Sequence, residues 1–385
     1  MVTSKRPVVG INARFLLEGK LEGIGRFSDE VLSRLVKLMP DCDFHFFFDR
    51  PWHARFLYAD NVIPQVVHPQ ARHPFLYIAW FDYMIPRALK RVHADVFFSP
   101  DGYLALPANI PQVQVIHDLS FLHYPKDTDT LHAWHYNRWF PKFARKAATI
   151  LTVSEYTRQD VIQQYAIHPD KIQTIYNGCS EVFHPGTETE KDATRVQYTQ
   201  GKRYFLYAGA IQPRKNLENL LKAYVIYRQN CQERVGLVLT GRKAWNFESV
   251  IQTYREMPFR EDVIFTGYVN DTELNRLYQA SIALCYVSRF EGFGLPLLEA
   301  MHAETALITC NTSSLPEVAG PAALYVHPDQ PIEIAQAMQT LATDPEQRQQ
   351  LISAGKMQRS QFSWDRTAAA CAEAIRKALQ QVKYS

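Results

Sequence analysis

Short apolar segments alternate with helical segments along the whole chain, and this alternation restricts the fold more than any other feature. Each segment has the length and the β-branched and aromatic content of a buried strand. Strands that are apolar on both faces and separated by helices belong to parallel sheets covered on both sides. We therefore predict an α/β protein with strands at residues 8–11, 44–48, 62–67, 96–98, 113–116, 150–153, 172–176, 204–208, 235–240, 263–265, 282–287, 306–309 and 323–326.

A polar, charged stretch at residues 184–203 interrupts this rhythm, and we interpret it as a linker. A chain of 385 residues is too long for one core and suits two domains. We predict doubly wound domains at residues 1–187 and 188–363, followed by a helix within 364–385. One side of that helix is apolar and must be buried, with Trp364, Ala368, Cys371, Ala372, Ile375 and Leu379 on it.

Composition excludes several classes of protein. The net charge of +3 is close to balanced, which argues against a dedicated nucleic-acid binder, so we expect no nucleic-acid partner, although local basic patches remain possible. The amino-terminal residues MVTSKRPVVG contain no apolar signal region, and no run is long enough to span a bilayer. The six cysteines are scattered and form no CxxC pair, which is typical of reduced thiols. We therefore expect a cytoplasmic protein that is neither secreted nor integral to a membrane.

The stretch RFEGFGLPLLEAM at residues 289–301 predicts a strand, a glycine turn and a helix. Gly292 and Gly294 allow a tight turn, and Pro296 suits the first turn of a helix. Such a junction turns the amides around residues 293–295, namely Phe293, Gly294 and Leu295, towards an anion, most often a phosphate.

Two carboxylates bracket this turn, Glu291 before it and Glu299 inside the helix. A carboxylate beside a phosphate is unfavourable, so each needs a neutral partner that donates hydroxyl hydrogen bonds. Sugars supply such hydroxyls. The alternative is that Glu291 is only a charge at a helix start and Glu299 only a solvated surface residue.

In open α/β sheets, ligands bind beyond the carboxyl ends of the strands. Gly209 follows the strand at residues 204–208, and Arg214 and Lys215 lie just before the next helix, with Asn216 as its candidate N-cap. Two cations beside a helix start suit a diphosphate. The alternative is an ordinary pair of surface cations.

Two stretches of the first half could also meet a ligand. His117 and Asp118 follow the strand at residues 113–116; the histidine could orient a sugar hydroxyl while the aspartate fixes its tautomer, or it could satisfy only a local hydrogen bond. The turn EGIGRFS at residues 22–28 is a weak match to a dinucleotide fingerprint. Its Gly23 and Gly25 could offer amides to a phosphate, or could only redirect the chain.

Residues 72–91, RHPFLYIAWFDYMIPRALKR, carry five Phe, Trp or Tyr side chains before a basic end. Interfacial helices combine these features, which suggests contact with a membrane surface. The alternative, which Pro86 and the mixed polar and apolar faces favour at least as strongly as membrane contact, is an element that is buried or that lines an acceptor site. No histidine spacing indicates a metal site.

These motifs, taken in order, resemble the family-4 retaining glycosyltransferases of GT-B fold, also called group 1. The resemblance covers nearly the whole chain. The glutamate pair E-x7-E around GFGLP is its most specific part, and the others are GIGRF, VIHDLSFLHYP, LTVSEYTRQDVI, YNG-x5-F-x-P, YAGAIQPRKNLENLL, DVIFTGYVNDTEL, TSSLPEVAG and the final helix that begins at FSW.

The resemblance implies a role for each candidate residue. Glu291 would contact the donor sugar, and Glu299 the ribose of its nucleotide. Arg214 and Lys215 would hold the diphosphate, together with amides after Gly292 and those of Gly23 and Gly25, and His117 would touch the transferred sugar. Residues 1–187 would form the acceptor side and residues 188–363 the nucleotide-sugar side, with residues 364–385 packed back on the first domain. The two domains would face each other across a cleft.

The expected activity is metal-independent, cofactor-free transfer of a hexose, with retention, from a nucleotide sugar to a saccharide or lipid-linked saccharide. GDP-mannose is favoured over UDP-sugars because GIGRF and HDLSFLHYP resemble bacterial surface-polysaccharide mannosyltransferases. A lipid-linked acceptor would bring the protein to the inner face of the membrane. The alternatives are a sugar-nucleotide epimerase and a non-catalytic nucleotide-sugar-binding protein. Glu304 and Ala306 replace a glycine and a proline that are common in the family. The resemblance therefore does not predict the exact path of the loop behind the nucleotide.

Overall fold

The structure, a computed structural model, describes residues 6–19, 21, 23–231, 233–242 and 248–383. Contacts between Cα atoms divide the chain into two compact units. Unit 1 comprises Met1–Asn177 together with Ser363–Ser385, and unit 2 comprises Gly178–Phe362. Glu22, part of the predicted turn at residues 22–28, and residues 1–5 lie outside the described ranges.

Each unit is built on one parallel sheet. The sheet of unit 1 has the strand order β3-β2-β1-β4-β5-β6-β7, and that of unit 2 the order β10-β9-β8-β11-β12-β13. The strands are β1 (Val8–Asn12), β2 (Asp43–Phe48), β3 (Val62–Val66), β4 (Val96–Ser99), β5 (Gln112–Ile116), β6 (Thr149–Thr152), β7 (Ile172–Thr174), β8 (Tyr204–Ala208), β9 (Gly236–Thr240), β10 (Val263–Gly267), β11 (Ala283–Tyr286), β12 (Ala306–Cys310) and β13 (Ala323–Val326).

Helices connect the strands. In the described ranges they are α1 (Ile24–Leu38), α2 (Pro74–Ile78), α3 (Ile85–Arg91), α4 (Ser120–His123), α5 (Thr130–Lys146), α6 (Glu155–Tyr165), α7 (Glu188–Thr199), α8 (Leu217–Gln229), α9 (Glu248–Glu256), α10 (Asp271–Ala280), α11 (Leu295–His302), α12 (Leu315–Ala319), α13 (Pro331–Thr343), α14 (Pro345–Arg359) and α15 (Trp364–Lys383).

Every predicted strand is present, and its ends differ by no more than two residues from the prediction. Strands such as β1, β8 and β12 are buried along their whole length, because helices cover both faces of each sheet. The predicted α/β architecture of two doubly wound parallel sheets is therefore confirmed.

The last helix, α15, belongs to unit 1 although the whole of unit 2 precedes it in the chain. It packs against α1 and against strands β4, β5 and β6. Trp364 packs edge-on against Phe27 of α1, with ring centroids 6.0 Å apart. The predicted apolar side is buried apart from Leu379, which is only partly covered. The predicted return of the last helix to the first domain is confirmed.

The linker predicted at residues 184–203 is wrong, because Glu188–Thr199 forms α7. A capping box starts this helix: the Glu190 amide donates to Thr187 Oγ1, and the Thr187 amide donates to Glu190 Oε2 at 2.8 Å. The helix lacks the wide apolar stripe by which the sequence could have indicated it. Side-chain hydrogen bonds attach it to the rest of unit 2 instead, from Arg195 to the Ala280 carbonyl and from Tyr198 to Glu273.

Residues 72–91 form α2, a π-helical turn at Ala79–Met84 and α3. The interior-facing side chains are fully covered, with Trp80 0% and Phe81 1% exposed. Other apolar side chains are open to solvent, with Phe75 60%, Tyr83 57% and Leu76 37% exposed. The segment is therefore a structural part of unit 1 that also presents an aromatic outer face. Among the helices of the described ranges, none is both long enough and apolar enough to cross a bilayer.

Burial of α15 predicts a stability test. Ile375 is fully buried, so Ile375→Ala removes packed methyl groups and should lower the free energy of unfolding by roughly 2–5 kcal/mol. Gln380→Ala, on the exposed side of the same helix, should change it by less than about 0.5 kcal/mol. Urea unfolding of both variants measures the difference. Equal losses would mean that α15 is not packed as described.

Candidate functional site

The sheet of unit 2 has a topological switch point between β8 and β11. These strands are neighbours, although β9 and β10 lie between them in the chain and occupy one side of the sheet. The chain therefore leaves β8 and β11 towards opposite sides, which opens a crevice at their carboxyl ends. The loops that follow these two strands hold residues 209–216 and 287–294. Most of the candidate residues predicted from the sequence lie in them.

Glu291 forms one buried charged network with Arg214 and Lys215. Lys215 Nζ lies 2.6 Å from Glu291 Oε1, and Arg214 Nη1 lies 3.3 Å from Glu291 Oε2. Lys215 Nζ also donates to the Tyr286 hydroxyl at 2.8 Å, and that hydroxyl donates to Glu291 Oε1 at 2.9 Å. Glu291 is only 6% exposed. The structure thus joins Glu291, which was expected to contact a sugar, with Arg214 and Lys215, which were expected to hold a diphosphate, and it adds Tyr286.

The two cations determine the charge state of Glu291. Burial by itself would raise the pKa of this carboxyl group, but Lys215 and Arg214 outweigh burial and lower the pKa from 4.5 to about 2. Glu291 is therefore ionised at neutral pH. The three side chains together carry one net positive charge, because one carboxylate neutralises one of the two cations.

Backbone and hydroxyl contacts hold this network in place. The Glu291 amide donates to Ser313 Oγ at 3.0 Å, and Ser314 Oγ donates to the carbonyls of Glu291 and Phe293 at 2.9 and 3.0 Å. Arg289 N donates to the Arg214 carbonyl at 3.0 Å, which joins the two loops directly. The cations and the carboxylate are therefore positioned before any ligand arrives.

Asn216 precedes α8 as predicted, but its side chain does not cap the helix. It adopts left-handed backbone angles, with φ 63°, and its Nδ2 donates to the Val287 carbonyl at 3.0 Å and to the Pro328 carbonyl at 2.6 Å. The N-cap interpretation is wrong in this respect, because the left-handed backbone angles of Asn216 differ from the extended angles of an N-cap, and its side chain is turned towards the two loop carbonyls. Asn216 instead ties the loop after β8 to the loop after β11.

The GFG turn has the predicted form. Gly294 has φ 102°, which favours glycine, and α11 begins at the next residue, Leu295. Phe293 is 4% exposed and packs edge-on against Phe362 at 5.6 Å between ring centroids. Gly292 is also buried. The turn is thus fixed by packing within unit 2, and the amino-terminal end of α11 lies beside the charged network.

Glu299 lies one turn inside α11 and is 7% exposed. It accepts a hydrogen bond from the Tyr278 hydroxyl at 3.0 Å, so it is not the solvated surface residue of the alternative interpretation. Behind it, Glu304 occupies the position where the family commonly has glycine. Glu304 keeps a left-handed conformation with φ 58°, and Lys356 Nζ lies 2.9 Å from its carboxylate. The turn is therefore retained without the glycine.

Gly209 lies where β8 ends, in very close contact with the loop after β9. A Cβ atom added to Gly241 would stand 1.9 Å from the Gly209 carbonyl oxygen, so only glycine fits at position 241. Gly209 N donates to the Thr240 carbonyl at 3.0 Å. The path of the loop that carries Arg214 and Lys215 thus depends on a glycine that the sequence analysis did not single out.

His117 lies in unit 1, at the end of β5. Its Nε2 is 2.7 Å from the Pro100 carbonyl oxygen, whereas Asp118 accepts from the Ser120 amide. The prediction that Asp118 fixes the tautomer is therefore wrong, because a carbonyl 17 residues upstream does so. Burial lowers the pKa of His117. A neutral ring that donates through Nε2 leaves Nδ1 as a hydrogen-bond acceptor for a hydroxyl.

Gly23 and Gly25 also belong to unit 1. Gly23 has φ 44° and directly precedes α1, which begins at Ile24, so the predicted helix start is present. Gly25 lies in the first turn of the helix and is buried.

The switch point of unit 1, between β1 and β4, holds a buried pair that the sequence analysis missed. Arg14 follows β1 and Asp101 follows β4, with Arg14 Nε 2.5 Å from Asp101 Oδ2. Neither is more than 6% exposed. Aromatic rings surround the guanidinium group within 5.4 Å, those of Phe15, Tyr77, Phe81 and Tyr103. Arg14 stands alone in NARFL and Asp101 in SPDG, which resembles a turn, so no motif or spacing in the sequence indicated that the two side chains pair.

In the described part of the chain, no three His, Cys, Asp or Glu side chains come together as ligands of a metal ion would. No disulfide joins two cysteines in the ranges that the structure describes, and Cys42, Cys285, Cys310 and Cys371 are buried.

Two family models match the chain, one in each half. The model described as Glycosyltransferase Family 4 matches residues 21–181, and the model described as Glycosyl transferases group 1 matches residues 188–358. The chain is also 30% identical over 366 residues to O-antigen chain mannosyltransferase B of Escherichia coli, a match that covers 90% of this chain and 93% of that protein.

Solved structures share the fold. A sucrose-phosphate synthase from Thermosynechococcus elongatus has a TM-score of 0.79 at 16% identity, covering 98% of this chain and 100% of the other. HepE of Anabaena, in complex with UDP-glucose, has a TM-score of 0.73 at 16% identity, covering 97% and 99%. These likenesses confirm the predicted GT-B fold.

The lowered pKa of Glu291 predicts how stability responds to acid. An ionised Glu291 stabilises the fold above pH 4.5, and this contribution is lost as the pH falls from about 4.5 to about 2. Wild-type protein should therefore lose on the order of 3 kcal/mol more than Glu291→Gln over this range. Thermal unfolding against pH checks this, with exposed Glu181→Gln as the control. Parallel pH profiles for wild type and Glu291→Gln would contradict the buried network.

The close contact at Gly241 predicts a second difference. Gly241→Ala should destabilise unit 2 because the new methyl group collides with the Gly209 carbonyl. Gly267→Ala is the matched control: Gly267 also has a positive φ, 73°, but a Cβ there meets nothing within 4 Å. Both variants carry backbone strain, which is larger at the φ of 136° of Gly241 than at the φ of 73° of Gly267, so the excess loss in Gly241→Ala, at least roughly 1–3 kcal/mol in urea unfolding, combines the collision with this additional strain. Equal losses would contradict this role.

Proposed function

We infer the function from one premise: this chain belongs to the family-4, group 1 glycosyltransferases, and it is a glycosyltransferase. We propose that it moves a hexose from a nucleoside diphosphate sugar to a saccharide or lipid-linked saccharide in the synthesis of a bacterial surface polysaccharide. The observation that carries the proposal is the buried network of Arg214, Lys215 and Glu291 at the switch point of unit 2.

The network suits a reaction in which a diphosphate leaves. Negative charge grows on the diphosphate as the glycosidic bond breaks, and Arg214 and Lys215 would stabilise it most strongly in the transition state. Glu291 and Tyr286 already hold Lys215 in place, so little reorganisation is needed. Removal of one such group typically costs about 10²–10³-fold in rate. In this proposal the cations and the amides after Gly292, with those of Gly23 and Gly25, do the work for which other transferases use a metal ion.

Glu291 would have two tasks. Unoccupied, it neutralises part of the cationic charge; with donor bound, it would accept hydroxyl hydrogen bonds from the sugar next to the diphosphate. Glu299, which the Tyr278 hydroxyl orients at 3.0 Å, would accept those of the ribose. Nδ1 of His117 would accept a hydrogen bond from a hydroxyl of the transferred sugar, since Nε2 donates its hydrogen to the Pro100 carbonyl.

The donor is proposed to be GDP-mannose. Support comes from O-antigen chain mannosyltransferase B, which aligns with nearly the whole chain. A UDP-sugar is the other donor to test, since HepE has the same fold and binds UDP-glucose. We propose that the anomeric configuration is retained by front-face attack, in which the departing phosphate takes the proton of the acceptor. A lipid-linked acceptor would bring the enzyme from the cytoplasm to the inner face of the membrane.

A variant series tests the donor site. Lys215→Ala and Glu291→Ala should each lower transfer by at least about 10²-fold, measured as nucleoside diphosphate release with an acceptor. Glu291→Gln should also lose transfer, yet it should bind free GDP more tightly than wild type, because no carboxylate then competes for the two cations. Calorimetry with GDP and GDP-mannose measures this, with Glu181→Gln as the control.

Three outcomes would contradict the proposal. Wild-type turnover in Lys215→Ala or Glu291→Ala would remove the site assignment. Conversion of the nucleotide sugar without an acceptor would indicate an epimerase. Binding without any release of nucleoside diphosphate, in the presence of saccharide and lipid-linked acceptors, would indicate a non-catalytic protein. Thermal melting should accompany each assay, since Lys215→Ala leaves part of a buried charge uncompensated and should cost about 1–3 kcal/mol.

A further inference from the structure

Two adjoining segments of unit 1 concentrate positive charge. Residues 72–91 and helix α5 together contain eight Lys and Arg residues and one acidic residue, Asp82, in a chain whose net charge is only +3. All of the cations except Lys146 are exposed. They are Arg72, Arg87, Lys90, Arg91, Arg138, Lys142, Arg145 and Lys146. The rest of the chain is therefore net acidic, and the basic charge is local to this part of the surface.

Most of the basic side chains of helix α5 form a stripe along one face of the helix. Trp134, Arg138, Lys142 and Arg145 are spaced by four, four and three residues, so they lie on one face of the helix. With Asn137 and Pro141 they line a shallow open groove along it. Trp134 is 44% exposed, while the opposite face is packed into the core through His135, Phe140, Phe143 and Ala144.

The second segment continues this surface. Trp139 of α5 lies beside Asp82, and Trp134 packs edge-on against Trp139 with ring centroids 5.2 Å apart. Tyr83, the neighbour of Asp82, is 57% exposed, and Phe75 in α2 is 60% exposed. We call the exposed side chains of residues 72–91 and α5 the basic aromatic face. Its one acidic residue, Asp82, lies beside Trp139 and is only partly exposed.

Exposed aromatic rings among cations are the feature by which proteins bind the surface of an anionic bilayer. Rings of this kind insert at the level of the lipid headgroups, and each nearby Lys or Arg adds attraction to anionic lipid. The phosphates of a nucleic acid would also attract the cations, but they would make no favourable contact with the apolar side chain of Leu76, which is 37% exposed beside Phe75. Since no helix of the described ranges could cross a bilayer, attachment through such a face would be peripheral.

We propose that the basic aromatic face binds the surface of a bilayer that contains anionic phospholipid. Arg138, Lys142 and Arg145 contact lipid phosphates, and the rings of Phe75, Tyr83 and Trp134 enter the headgroup layer. The biological purpose rests on the proposed function, since a lipid-linked acceptor is found only at a membrane. The binding itself requires no nucleotide sugar, so it can be tested separately.

Cosedimentation with vesicles tests the proposal. The protein of 385 residues should bind vesicles of phosphatidylglycerol and phosphatidylethanolamine, and bind vesicles of phosphatidylcholine alone far more weakly. Binding should fall as salt is added, because salt screens exposed charges. The double variant Arg138→Glu/Lys142→Glu should bind the anionic vesicles at least about 25-fold more weakly, at roughly fivefold for each cation lost. Trp134→Ser should also weaken binding while leaving the charge unchanged.

The matched control is Lys222→Glu/Arg260→Glu, which makes the same change of charge on exposed residues of unit 2. It should bind the anionic vesicles within about twofold of wild type, well inside the loss expected of lipid-contacting cations. Thermal melting of every variant confirms folding. The proposal is overturned if wild type does not bind the anionic vesicles, if it binds phosphatidylcholine equally well, or if both double variants lose the same affinity. It is also overturned if a DNA duplex binds this face as tightly as the vesicles do, since that would identify a general polyanion surface.

Discussion

The buried pairing of Glu291 with Lys215 and Arg214 is the interaction on which the rest of the site depends. A carboxylate in that position without cations would be neutral or would draw water into the core, and two cations without it would repel each other across a few ångströms. As a paired group, the carboxylate and the two cations can remain charged while buried at the edge of the sheet. The loop carbonyls, Ser313 and Ser314 hold the backbone that presents these side chains.

The position of this network follows from the order of the strands. Because β8 and β11 are neighbours whose loops diverge, polar groups from two distant parts of the chain converge at one edge of the sheet. The same rule applies in unit 1, where Arg14 and Asp101 meet between β1 and β4. Each sheet thus places a buried ion pair at its own switch point. Unit 2 holds another one elsewhere, between Arg228 at the end of α8 and Asp262 just before β10, so strand order accounts for the two pairs at the switch points and not for every buried charge.

Much of this could be predicted from sequence because strand burial leaves a strong local signal. Apolar runs such as FLYA and ALIT can hardly be solvated, and every strand was found from them. Long-range pairing leaves no such signal. Residues 291 and 215 lie 76 positions apart, so the sequence suggested that both act but not that they bind each other. The misassigned partners of His117 and Asn216 have the same cause: a backbone carbonyl has no sequence identity to recognise. Helix α7 was missed because hydrogen bonds, and not an apolar stripe, hold it.

Unit 2 is inserted in the chain of unit 1, since Gly178–Phe362 separates α15 from the residues on which it packs. During synthesis the first 177 residues emerge without the helix that covers α1 and the central strands. Unit 2 can complete its core as soon as its own residues are available, whereas unit 1 must wait until α15 has been made. Unit 1 thus begins before unit 2 in the chain but can complete its packing only after it. Until then the apolar surface that α15 covers on α1 and the central strands stays open to solvent.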